Sequence, residues 1–460
     1  MLKKRFNKQE RSWILYDWAN SVHSTIIVAA IFPIYFASVA ASAGEKGDVW
    51  IAWGAAATTL LMAILAPIVG AVGDYKGMKK KLFSTFLIMG LVFTTIMAFT
   101  DNWVLMLIGY AISYLGFSGA NLFYDSFLTD VTTADRMDKV SAWGFSMGYI
   151  GGSTIPFLVS IGLVMFGKKL FPALNIIDAS LPDSEIESIA AILAVKVSII
   201  ITVLWWGIFS IPILRNVHQI HYIIAPATKL VKTTFISIGM TVRHIFHDKA
   251  LLVFILAYFF YIDGVNSVIH MATAYGSSLG LDATGMILAL LVTQLVAVPC
   301  AIWFSKFAGK IGSINMIAIG IGVYFIICIL GFVMGFGLEE EFLTVGQAQS
   351  MFWFLAILVG TCQGGIQALS RAFFGKLIPA NRSNEFFGFF DIFGKFAAVI
   401  GPALYAVSAT ITGRSSIGIL SIILLFAVGG IFIMTSRETL RTAEIRALAS
   451  VNAAIERKSL

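Results

Sequence analysis

Charge is scarce in this 460-residue chain: Asp, Glu, Lys and Arg together make up 12% of it. Soluble globular domains carry roughly 25%. So little charge excludes an ordinary water-facing surface. Cysteine is scarcer still, with Cys300, Cys328 and Cys362 the whole complement. They are odd in number and each sits in an apolar run. That excludes a disulfide framework and a cysteine metal cluster, and such residues usually just pack. No G-x-x-x-x-G-K-[ST] loop is present, nor a soluble domain to hold one, so nucleotide hydrolysis is excluded as an energy source. No nucleophile elbow or H-E-x-x-H pair occurs, so no catalytic residue, enzyme activity or cofactor is expected. His218-x-x-His221 and His244-x-x-His247 have metal-pair spacing. Asp248 is the one carboxylate beside them, and no metal site is expected.

What the chain has in abundance is long apolar runs. The hydrophobic fraction is 58% and the mean hydropathy +0.88. A helix needs about 20 residues to cross a bilayer's hydrocarbon core. Twelve runs of that order follow one another: about 13–40, 50–72, 82–100, 103–128, 141–167, 190–214, 249–274, 284–304, 313–336, 348–369, 387–412 and 415–436. They are too long for barrel strands and do not alternate, which leaves helices as the spanning structure. The expectation is an all-α, multi-pass integral membrane protein.

Basic residues fix its orientation. Net charge is +7, which in a soluble protein would suggest nucleic acid. Here 26 of the 32 Lys and Arg fall on one side of the twelve runs when the N-terminus is on that side too. Only Lys46, Lys168, Lys169 and Arg414 fall in the opposite loops, while Lys196 and Lys395 lie inside apolar runs. Lys and Arg are retained in cytoplasmic loops, so both termini are expected in the cytoplasm and no nucleic-acid partner is implied. Ala41-Ser42-Ala43 after an apolar run imitates a signal-peptidase site. Asp17, Asn20 and His23 interrupt that run, however, and it is too long for a signal peptide.

The longest inner loop splits the runs six and six. The expected organisation is a six-helix bundle over 1–214, a cytoplasmic linker over 215–248, a second bundle over 249–436 and a tail helix over 437–460. The linker is basic and carries Pro226, Leu230, Phe235, Ile238 and Ile245, a pattern suited to helices on the membrane surface. In the outer loop, Pro182-Asp183-Ser184 ahead of Glu185 and Glu187 marks a helix start. The halves repeat weakly: Arg136, Gly148 and Pro156 recur at one offset as Arg382, Gly394 and Pro402, and Asn121 falls opposite Gln367. Internal helical repeats with a site near mid-bilayer are the signature of secondary transporters.

Gly70-x-x-x-Asp74-x-x-Gly77-x-Lys79-Lys80, between the second and third runs, resembles the loop motif of the major facilitator superfamily. Its partial echo, Ser305 to Gly312, has Gly309 in place of the aspartate. Two further segments are similar to the vacuole-effluxer-like branch, whose fungal members export amino acids during autophagy. One is Tyr16-Asp17-Trp18-Ala19-Asn20-Ser21. The other is Gln367-Ala368-Leu369-Ser370-Arg371 through Leu377-Ile378-Pro379 and Glu385–Asp391 to Gly394-Lys395-Phe396-Ala397. The resemblance covers nearly the whole chain. It implies twelve transmembrane helices in two pseudo-symmetric six-helix bundles, the major facilitator fold. Asp125 stands where many relatives would have Asn.

A charge at the bilayer centre costs about 2.5 to 3.5 kcal/mol, so those retained generally face a cavity or a partner. Depth separates two sets. Near cytoplasmic ends lie Asp17, Asp125, Arg371 and Asp391, adjoined by Gly70, Asp74, Gly77, Lys79, Lys80, Arg136 and Arg382. These are candidates for a gate of ion pairs; the alternative for each is ordinary interfacial charge. The resemblance implies that Asp74 sits at the N-terminus of the eleventh helix, where the dipole favours an anion. Deeper lie Asn20, Asn121, Asp263, Asn266, His270, Gln294, Gln363, Gln367 and Lys395, candidates for substrate binding. Asp263, Asn266 and His270 share one helix face, as do Gln363 with Gln367 and Asp391 with Lys395. The resemblance places all of the deeper residues on spans that line a central cavity. For the amides, simple interhelical hydrogen bonding is the alternative. For His270 the choice lies between packing and proton coupling.

The function expected is secondary active transport of a small polar solute by alternating access, with amino acids favoured from the resemblance, efflux one option it offers, and the direction not fixed by the sequence. The partners are that solute, a proton or other coupling ion, and membrane lipid. The protein is expected to be monomeric, in a bacterial inner membrane. The alternatives are a proton-linked carrier of sugars, organic acids or peptides, and a non-transporting receptor or scaffold on the same fold. A channel is disfavoured, because no pore-lining ring of charge is evident.

Overall fold

The computed structural model describes residues 5–224, 230–396 and 399–459, with side chains at all of these except 153, 230–232, 283, 284, 287, 395, 396 and 451–459. Among the described residues, eleven helices are long and apolar enough to cross a membrane. They are Lys8–Ser42, Gly47–Gly73, Met78–Ala98, Trp103–Val131, Ala134–Ala173, Asp183–Asn216, Lys249–Ser278, Leu288–Ile311, Ser313–Glu339, Val345–Leu377 and Ser415–Thr435. The first ten are called spans one to ten and the last span twelve. Ile34, Trp53, Leu60 and Met165 are strongly exposed on them, as side chains against hydrocarbon are.

The run at 387–412 departs from a single uninterrupted helix. It is divided into Ser383–Phe396 and Ile400–Thr412, together span eleven. Pro402 explains why the second piece begins where it does. It has no N–H to donate upstream, it disfavours helical backbone at the residue before it, and it is tolerated within the first turn of a new helix. Spans one and five are interrupted differently, by π-helical segments at His23–Ala29 and Tyr149–Thr154. The second ends just before Pro156, whose missing N–H breaks the regular bonding register.

Helix starts carry side-chain caps. Asn7 and Glu10 form a reciprocal capping box on span one, as do Thr344 and Gln347 on span ten. Asp248 accepts from the N–H groups of Ala250 and Leu251 at the start of span seven. Each cap satisfies donors that the helix cannot satisfy itself.

Two compact units are present. The first takes the chain up to Leu65, with Gly77–Tyr124 and Met147–Gln219. Trp13, Tyr16, Tyr124 and Trp206 are buried at its centre. Trp13 stacks on Tyr124 with centroids 4.4 Å apart and donates its indole N–H to the Tyr124 carbonyl at 2.7 Å. The second unit takes Ala66–Lys76, Asp125–Ser146 and the chain from Ile220 onward. Its core includes Phe254, Tyr261, Phe373, Phe374 and Phe426. In the 215–248 segment, Ile223 pairs with Tyr75 and a helix runs over Leu230–His247. Pro226 and the Leu230 side chain lie outside the described residues.

Candidate functional site

A polar network in the second unit surrounds the end of span two. Gly70 and Asp74 are brought against the first turn of Ser383–Phe396. A Cβ at Gly70 would fall 2.5 Å from the Asn384 carbonyl oxygen, so only glycine allows this approach. Asp74 is 1% exposed. Its Oδ1 accepts from the Asn384 N–H at 2.9 Å and the Asn384 amide at 2.8 Å, and its Oδ2 accepts from the Glu385 N–H at 3.0 Å. The carboxylate therefore caps a helix start belonging to a distant part of the chain, where unsatisfied N–H groups and the helix dipole favour negative charge. Ser126 donates to the Asn384 side-chain oxygen, and Ser237 donates to Glu385 at 2.7 Å. The Asp74 carbonyl accepts from the Ile223 N–H at 2.8 Å, joining the segment after residue 220 to the same loop.

Arg371, in span ten, forms the second element. Its guanidinium donates to Asp125 Oδ1 at 2.9 Å, to the Ser141 hydroxyl at 2.9 Å and to the Ser141 carbonyl at 3.2 Å. It also lies over the Phe145 ring, 4.4 Å from the centroid. A fork of donors held over a ring is the arrangement arginine suits and lysine does not. Asp125 supplies the carboxylate for this fork.

The other candidates from the shallow set are distributed as follows. Arg136, Arg382 and Asp391 are half-buried. In the first unit, Asp17 accepts from the Tyr124 hydroxyl at 2.7 Å. Gly77 has φ +76°, left-handed backbone that favours glycine, and its N–H meets the Gln219 side-chain oxygen at 2.9 Å. Lys79 is fully buried, and Lys80 approaches His218 at 3.4 Å.

The deeper residues fall into local groups. In the first unit, Asn20 donates to Asn121 at 2.6 Å. In the second, Asp263 is 0% exposed. It accepts from the Gly401 N–H at 3.1 and 3.2 Å and from the Ser267 hydroxyl at 3.1 Å. It thereby binds the start of Ile400–Thr412. Asn266 is half-buried and His270 exposed, so the shared helix face does not give the three a common environment. Gln294 and Gln363 line a cavity of about 90 Å³ together with Val268, Tyr275, Thr293 and Cys328. The Gln294 side-chain oxygen has no hydrogen-bond partner among the described residues. Gln367 is half-buried. The Lys395 side chain lies outside the described residues, and with it the face expected to be shared by Asp391 and Lys395.

Sequence reasoning missed three polar sites. Asp130 accepts from the Ile220 and His221 N–H groups at 3.0 and 2.9 Å and from the His221 ring at 3.1 Å. His23 meets Ser113 at 2.7 Å, and Ser113 meets Thr94 at 2.6 Å. Lys376 is enclosed by two carboxylates and a serine. A polar residue interrupting an apolar run was the available signal for His23; the other two had none beyond an unremarkable charge.

The division of span eleven, with a carboxylate at each helix start, has the form of a transporter's discontinuous helix. Known proteins agree at the level of fold. The chain shares the fold of a bacterial homologue of the iron transporter ferroportin, with TM-score 0.62 at 9% identity over 95% of this chain and 98% of the other. The E. coli fucose:proton symporter has TM-score 0.57 at 13% identity over 93% and 97%. Sequence likeness is closer to the uncharacterized MFS-type transporter YxiO of Bacillus subtilis, 43% identical over 93% of this chain and 94% of that one. Autophagy-related protein 22 of Cryptococcus neoformans is 24% identical over 68% of this chain and 51% of its own length, so the chain spans about half of that relative. The family model described as vacuole effluxer Atg22-like matches residues 51–441. This multi-pass membrane protein of the major facilitator fold therefore belongs to the vacuole effluxer Atg22-like family.

Proposed function

We propose that the protein is a secondary active transporter that moves a small polar solute, amino acids first, by alternating access. The observation that carries this reading is the Asp74 carboxylate seated on the start of Ser383–Phe396. A charge-assisted clasp between distant chain segments is what a closed gate requires, because it can be broken and remade as a unit. Asp125 with Arg371 reinforces it. By the bias of basic residues this end is cytoplasmic, with both termini and the linker. The membrane proposed is a bacterial inner membrane, consistent with the relative in Bacillus subtilis. The deep polar residues, Asp263 first, hold the solute, and a proton or other ion gradient drives net movement outward. A single chain suffices.

The test is solute counterflow in proteoliposomes holding the purified protein, with labelled amino acids, sugars, organic acids and dipeptides offered in turn. Saturable, gradient-dependent flux of an amino acid, lost in Asp263→Asn, supports the reading. Flux of another class corrects the solute. Absence of flux for every class favours a receptor or scaffold.

A further inference from the structure

The tail helix Arg437–Ser459 docks on the second unit along one face. Leu440 is fully buried in the core. Glu444 lies one turn later on the same face and is 6% exposed. Its carboxylate accepts from Lys376 Nζ at 2.9 Å and from the Ser313 hydroxyl. Lys376, in the last turn of span ten, has a side chain 2% exposed. It donates also to Asp138 Oδ2 at 2.7 Å and to the Ser313 hydroxyl at 2.9 Å. One buried ammonium is thus shared by two carboxylates. The second oxygen of Asp138 has no partner among the described residues.

The four groups are unequally placed along the chain. Lys376, Ser313 and Glu444 all lie after residue 220, while Asp138 alone comes from the helix Ala134–Gly148. If the bundles expected over 1–214 and 249–436 are the bodies that move, an alternating-access cycle parts Asp138 from Lys376 and leaves the other three together. Removing one partner of a buried ion pair is strongly destabilising, because the remaining charge is uncompensated. We propose that Glu444 is the counter-ion that stays with Lys376 when Asp138 leaves, so that the tail helix eases the opening of this gate. This inference rests on the transport reading above. It gives the tail the opposite sign to a clamp: losing Glu444 should hold the gate shut, by making Asp138 the one anion Lys376 has.

The experiment is double electron–electron resonance on the full chain in nanodiscs, with the three native cysteines replaced and spin labels at Lys81 and Asn381. The Asp74→Asn background supplies an open population to measure. In it, Glu444→Gln should lower the open-to-closed ratio about tenfold, the equivalent of about 1.4 kcal/mol. Asp138→Asn should raise that ratio. Lys376→Met combined with Glu444→Gln should return it to the background value, which also serves if the single variant folds poorly. An unchanged or larger open fraction in Glu444→Gln, while Asp138→Asn opens the gate, would overturn the counter-ion role and leave transport standing. A chain that opens in none of these variants overturns the transport reading, and this inference with it.

Discussion

Asp74→Asn removes one charge and one acceptor from the proposed gate, and the size of the loss follows from the geometry. The replacement amide can keep an oxygen where Oδ1 accepts the two Asn384 donors at 2.9 and 2.8 Å. It then presents an NH₂ group where Oδ2 accepts the Glu385 N–H at 3.0 Å. A buried N–H left without an acceptor costs about 1–3 kcal/mol. Losing the anion at the helix start removes about 0.3–1 kcal/mol more, or up to ~2 kcal/mol in a buried setting. Part of this is offset, because a neutral amide is less costly to desolvate than a carboxylate. A net loss of about 2 kcal/mol shifts a two-state equilibrium about thirtyfold. Gly309 occupies the corresponding place in the second-half loop, so no second copy of the aspartate compensates. Double electron–electron resonance between labels at Lys81 and Asn381 should show a longer-distance population in the variant. A fall in melting temperature with no lengthening would mean that Asp74 stabilises the fold without gating it, and the clasp would have to be abandoned.

Gly70→Ala should open the same gate by a steric route, since its Cβ would meet backbone, the Asn384 carbonyl oxygen at 2.5 Å and the Glu385 Cα at 3.1 Å. Overpacking of this kind costs about 1–3 kcal/mol, and an unaltered distance distribution would contradict the close approach. Arg371→Met should lower the melting temperature, because Asp125, Ser141 and the Phe145 ring all lose their partner. The Asp125 side chain is 31% exposed, so solvent moderates the cost to about 1–3 kcal/mol, below that of a fully buried pair. Adding Asp125→Leu should recover part of it, and a double variant no more stable than the single one would argue against the pair. For topology, an impermeant thiol reagent applied from outside should label cysteines placed at Lys46 and Lys169 but not at Lys80; the reverse pattern would invert the orientation.

The spans were legible because bilayer thickness imposes a length, and length survives in a sequence as an apolar run. Their interruptions were not. Hydropathy does not register which backbone groups are bonded, so the π-helical segments at His23–Ala29 and Tyr149–Thr154 left little mark. Asp74 stood out because its loop glycines are constrained by close approach at Gly70 and positive φ at Gly77. Lys376 did not. It is one of three widely spaced basic residues from Arg371 to Arg382, and its partners at Asp138, Ser313 and Glu444 lie on three other segments. Helical spacing put Asp263, Asn266 and His270 on one face, but spacing fixes direction and not depth. Asp263 is buried while His270 is exposed.

Span eleven shows how these pieces combine. A break in a membrane helix creates a second set of unsatisfied N–H groups, in a medium that cannot solvate them. Both of its pieces start on a carboxylate borrowed from elsewhere: Asp74 on Ser383–Phe396 and Asp263 on Ile400–Thr412. The first comes from the loop after span two, the second from span seven. Each supplies the acceptors and the negative charge that the helix start favours. The cost of retaining two buried acidic residues is thereby tied to the division of one helix. A continuous span eleven would leave Asp263 without the Gly401 N–H, and an apolar residue at 263 would leave that N–H without an acceptor. The pairing explains how an acidic residue is accommodated at a depth where the sequence favoured a solute ligand over a structural partner. It also means that a solute carboxylate reaching the Gly401 N–H would have to displace Asp263, so that solute binding and release of this helix start would be one event.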